Sequence, residues 1–113
     1  MFNQWEDKLY KQDISFVSIA SQTIISAPGA GKRIAIDMVN FIPTAACSVQ
    51  LGDGDTAYGG NYPLGANQSF VLENAIHNYD GIITLSANTA FKMTTSVATQ
   101  TSGFVRYRIL DNN

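Results

Sequence analysis

The sequence predicts an all-β domain: an antiparallel, jelly-roll-like β-sandwich of seven or eight short strands behind a short N-terminal arm. Three observations predict it. From Asp13 onward, apolar residues recur with period two, the spacing that brings alternate strand side chains to one face. Turn signals rich in Gly, Pro, Asn and Asp separate these runs, roughly every 8–15 residues. No helical pattern lies between them, and a parallel sheet needs crossover helices. The expected division is an arm over residues 1–12 and a sandwich over 13–113.

The elements follow in order. Phe2, Trp5, Leu9 and Tyr10 share a helical spacing over residues 2–11, but the stretch is too short to be stable alone. It is expected to order by packing on something else. ISFVSIA (14–20) and QTIIS (22–26) are strands divided by a kink. Ala27-Pro28-Gly29-Ala30-Gly31 breaks the chain. In KRIAIDMVNFI (32–42), Ile34, Ile36 and Met38 take one face, and Arg33, Ala35 and Asp37 the other. Val39 and Phe41 break that alternation, which predicts a bulge or a strand end covered on both sides. CSVQL (47–51) turns Cys47, Val49 and Leu51 inward. Residues 52–67 read as a long loop, SFVLE (69–73) as a strand, and 74–81 as another loop. IITLSA (82–87) and AFKMTTSV (90–97) read as strands joined by an Asn88-Thr89 turn, with Phe91, Met93 and Val97 on one face. SGFVRYRIL (102–110) sends Val105, Tyr107 and Ile109 one way, and Phe104, Arg106, Arg108 and Leu110 the other.

Composition narrows the function. The chain has 113 residues, room for one core. Charged residues make up 14%, against a usual value of about 25%. Ser, Thr, Asn and Gln replace them, and small neutral groups are cheap to desolvate against another subunit. A net charge of −2 argues against a nucleic-acid partner. No apolar run is long enough for a membrane helix, and the first residues lack the apolar run of a signal peptide. Cys47, the single cysteine, cannot form an internal disulfide.

No chemical motif assembles. Ala30-Gly31-Lys32 resembles the end of a phosphate-binding loop, but Ser26 stands where the first Gly belongs and Arg33 where Ser or Thr belongs. Asp53 and Asp55 fall short of the ligand set of a calcium loop. His77, the single histidine, has no nucleophile tied to it. No catalytic, metal or cofactor residues are therefore expected. Two groups are candidate contact sites. Tyr58, Tyr62 and Tyr79 fall in the expected long loops, where an amphipathic ring suits a glycan or a protein. Arg106 and Arg108 leave one face of the last strand between Phe104 and Leu110, a basic pair bracketed by apolar residues.

Several segments together resemble a family of small β-sandwich virion proteins of tailed bacteriophages. They are Gly31-Lys32, Ala45-Ala46-Cys47-Ser48-Val49, Pro63-Leu64-Gly65-Ala66-Asn67 and Phe70-Val71-Leu72, with Ala90–Ser96 and Ser102-Gly103-Phe104-Val105-Arg106-Tyr107. The likeness spans residues 31–110 and is one of small residues and turns. Gln68 stands where the family pattern has Gly. The resemblance implies a non-enzymatic head decoration or cement protein, made in the host cytoplasm and carried on the capsid surface. Its implied partners are the major capsid protein and copies of itself, as a homotrimer. Phe2, Trp5 and Tyr10 of the arm, with Phe104, Arg106 and Arg108, are then the expected interface. The alternative is a receptor- or glycan-binding module of a phage tail or head fibre.

Overall fold

Nine strands form in the computed structural model, which describes residues 8–74 and 81–111. They are β1 (Tyr10–Phe16), β2 (Gln22–Ile25), β3 (Lys32–Pro43), β4 (Cys47–Gly52), β5 (Ala57–Leu64), β6 (Phe70–Glu73), β7 (Ile83–Thr84), β8 (Phe91–Thr95) and β9 (Thr101–Asp111). One sheet has the order β1-β9-β3-β6, with β7 also pairing β3; the other has the order β2-β8-β4-β5. All pairings are antiparallel. The chain changes sheet at almost every connection, and only β4–β5 closes a hairpin within one sheet. Setting the two-residue β7 aside, this is the jelly-roll order: a long hairpin of eight strands rolled into two facing sheets.

The core lies between the sheets. The five-stranded sheet contributes Ile14, Phe16, Ile34, Ile36, Val39, Phe41 and Val105. The four-stranded sheet contributes Ile25, Cys47, Val49, Leu51, Leu64, Phe91 and Met93, and Leu85 fills one end. The other end is closed by threonines whose hydroxyls are satisfied. Thr95 donates to Val97 O (2.9 Å), Thr101 donates to Thr99 O (3.3 Å), and the Thr99 and Thr44 hydroxyls lie 2.8 Å apart. Buried hydroxyls need such partners.

The expected break in β3 is a bulge. Ile36 pairs with Tyr107 and Met38 with Arg106, so Asp37 is the extra residue. The bulge corrects one expectation: Met38 turns away from the core, and Val39 takes the inward place, fully buried. Gly103 lies opposite Phe41 at the middle of this sheet. A Cβ there would collide with Asn40 O and stand 2.6 Å from Phe41 Cα, so only Gly lets β9 pass this close.

Three further expectations are corrected. The long loop over 52–67 contains β5, whose period-two signal is interrupted by Gly59 and Gly60, both at positive φ. Asn88-Thr89 does not join a hairpin: β7 pairs β3 and β8 pairs β4, so this turn crosses between sheets. Asn88 instead caps the β3 entry, accepting from Gly29 N through its Oδ1 (2.9 Å) and donating its own N–H to Lys32 O (2.7 Å). Gly29 and Gly31, both at positive φ, make the break at residues 27–31 a tight entry into β3. Val97 lies beyond β8 and is exposed, and Thr95 occupies the inward place.

Candidate interaction surface

The bulge fixes the main charged cluster. It sends the Asp37 carboxylate onto the outer face of the five-stranded sheet, beside the two arginines of β9. Arg106 Nε lies 3.3 Å from Oδ2, and Arg108 Nη1 lies 3.4 Å from Oδ1. Buried Asn74 adds its side-chain amide to Oδ1 (3.2 Å) and its backbone N–H to Asp37 O (3.0 Å). The Arg106/Arg108 pair is thus present on one face, as expected, but it is not a free basic stripe, because both guanidinium groups converge on one carboxylate. Its apolar brackets are also partly withdrawn: Leu110 is buried and Phe104 half-buried. Lys11 Nζ sits 5.0 Å from the Phe104 ring centre, a cation–π contact that turns the β1 charge over its own sheet. Asp37 was missed as a site residue. Its sequence signal was a single acid at the point where the β3 alternation breaks.

The second feature is an edge. A jelly roll leaves four, and unpaired edges invite association. β2 and β6 are four residues long, and β2 carries a register shift. β5 is interrupted by Gly59, Gly60 and Pro63. β1 has seven residues, YKQDISF, with no Gly, Pro or bulge, in continuous register with β9. No described strand pairs its other side. Leu9 and Tyr10 at its start and Val17 and Ile19 just past its end are exposed, Val17 and Ile19 at 53% and 57%. Tyr10 stacks on Tyr107 with ring centres 5.4 Å apart. Burial, with Tyr10 adding to it, pushes the Tyr107 phenol above its ordinary pKa. Residues 10–12, expected in the arm, are the first residues of β1. Phe2 and Trp5 lie outside the described residues.

The tyrosines expected as loop contacts fall differently. Tyr62 pairs with Val49 and packs on Phe70, ring centres 4.9 Å apart. Tyr58 also packs against the core, and its hydroxyl reaches Asp53 Oδ2 at 3.5 Å. Burial first, and the Asp53 charge second, push its pKa up. Tyr79 and His77 lie outside the described residues. Asp53 organises the β4–β5 turn: its Oδ1 accepts from the backbone of Asp55 (2.9 Å) and Thr56 (2.6 Å). Those bonds hold its carboxyl below the usual carboxylate range. Burial raises the Cys47 thiol, which does not favour the reactive thiolate. Among the described residues, no group of three or more His, Cys, Asp or Glu could hold a metal ion, and no helix is long and apolar enough to cross a membrane.

Comparison with known proteins adds no relative. No family model, no curated protein and no solved structure matches the chain.

Proposed function

We propose that this chain is a structural subunit of a virion, a decoration protein that binds the major capsid protein at capsomer junctions and assembles with itself as a trimer. The observation that carries the assembly part is the β1 edge: long, uninterrupted, unpaired among the described residues, and flanked by exposed Leu9, Tyr10, Val17 and Ile19. β2 and β6 blunt their edges by short length, β2 also by a register shift, and β5 by Gly and Pro; β1 carries Lys11 and Asp13 but has no such interruption. The sequence just ahead of β1 adds Phe2 and Trp5 to the same end of the chain. The tailed-phage resemblance supplies the kind of assembly, and jelly rolls recur in viral capsid domains. In this reading the protein does no chemistry. It adds contact area across capsomer junctions and so opposes the outward pressure of packaged DNA.

Co-sedimentation with undecorated phage heads tests the proposal. The expected result is saturable binding that a Val17→Lys/Ile19→Lys variant loses while keeping its fold. A chain that stays with the supernatant at every concentration would overturn it.

A further inference from the structure

The outer face of the four-stranded sheet holds a hollow that the assembly reading does not use. It is open, with a volume of about 250 Å³, and is lined by Ser48, Gln50, Asn61, Thr94, Thr95 and Ser96. Three strands build it. Asn61 of β5 pairs with Gln50 of β4, and Gln50 pairs with Thr94 of β8, so these three side chains form one row across the sheet. Gln50 lies between Val49 and Leu51, both fully buried, so the row faces outward. Ser96 closes the next row, its Oγ accepting from Ser48 N at 2.8 Å. The side chains of Gln50, Asn61 and Thr94 make no hydrogen bond with any described residue.

The lining decides the class of ligand. No charged side chain lines the hollow, so an anion or cation would be desolvated without a counter-charge. An apolar ligand would cover two amides and leave their donors and acceptors unpaired. Amides and hydroxyls donate and accept side by side, as the adjacent hydroxyls of a sugar do. Pro63, opposite Ser48 and exposed, offers an apolar rim to the C–H face of a ring. The volume lies below the ~300 Å³ at which ordinary small-molecule sites begin, enough for one ring rather than a chain. We infer that this hollow is a binding site for one neutral sugar unit of a surface glycan. The inference is independent of the assembly reading; if the chain is also trimeric, three weak sites would act together through avidity.

The test is an amide-resonance titration of the labelled full chain with methyl glycosides of glucose, galactose, mannose and N-acetylglucosamine. The expected result is a saturable shift with at least one of them, confined to residues around Gln50, Asn61 and Thr94. Asn61→Ala and Gln50→Ala should each weaken it about five- to tenfold, the effect of one lost hydrogen bond. Both positions face solvent, so the fold is expected to survive, and the same spectra report it. Three results would overturn the inference: no shift with any neutral glycoside, shifts that map elsewhere or persist unchanged in Asn61→Ala and Gln50→Ala, or tighter binding of a sulfated or sialylated sugar.

Discussion

The two sheets have similar inner faces and different outer ones. Inside, each contributes seven apolar side chains to the core cluster, and each includes one fully buried phenylalanine: Phe41 in β3 and Phe91 in β8. Outside, the five-stranded sheet carries the Asp37–Arg106–Arg108 cluster, exposed Ile42 and Val71, and the open β1 edge. The four-stranded sheet carries a hollow of uncharged amides and hydroxyls, with Lys92 the one charged side chain on its strands, and has interrupted edges. The inner faces hold the core, so the outer faces can differ, and the two proposed contacts, protein on one side and a small neutral ligand on the other, rest on that difference.

The largest expected effects test the equality of the inner faces. Phe41→Ala and Phe91→Ala should each cost about 3–5 kcal/mol in denaturant unfolding. A large gap between them would show that one sheet dominates the core. Gly103→Ala should cost a comparable amount, since the added Cβ meets backbone on the neighbouring strand.

The next effects separate the outer faces. Asp37→Ala removes the carboxylate that Arg106, Arg108 and the Asn74 side chain share, and should cost about 2 kcal/mol, read by the same unfolding curves. Gln50→Ala, on the other sheet, should stay within about 0.5 kcal/mol. If the two variants prove equal, the charged cluster is not structural.

The smallest effects depend on pH. The folded pKa values of Tyr58 and Tyr107 are raised, so the stability they contribute is present below the unfolded value of about 10 and lost as pH rises through the folded pKa. In an alkaline absorbance titration their ionisation should lag the model phenol, and Tyr58→Phe and Tyr107→Phe should each remove part of that lag. Asp53 has the opposite sign. Its lowered pKa contributes stability above its unfolded value of about 3.9, lost as pH falls through the folded pKa. Asp53→Asn should flatten that acid limb slightly.

Much of the fold was legible in the residues. Ile34, Ile36, Val49, Leu51, Met93 and Val105 announce inward faces by period two alone. The Val39/Phe41 break announces the bulge, although not that Asp37 would be its extra residue or that Met38 would turn outward. β5 was hidden because Gly59, Gly60 and Pro63 are turn residues everywhere except on an edge strand. Tyr62 then looked like a loop contact, because its inward partner Val49 is supplied by pairing that sequence cannot show. The same holds for Arg106 and Arg108: their shared face was visible, but Asp37 is distant in the chain and meets them only through the β3–β9 register. The neutral hollow was out of reach for this reason too, since Asn61, Gln50 and Thr94 come from three strands.

Sedimentation equilibrium on the full chain at micromolar concentration tests the central claim, that β1 is a joint between subunits. The expected mass is three times that of the chain, falling to the monomer mass in the Val17→Lys/Ile19→Lys variant. A monomer at every concentration, or a trimer that the variant leaves intact, would contradict it.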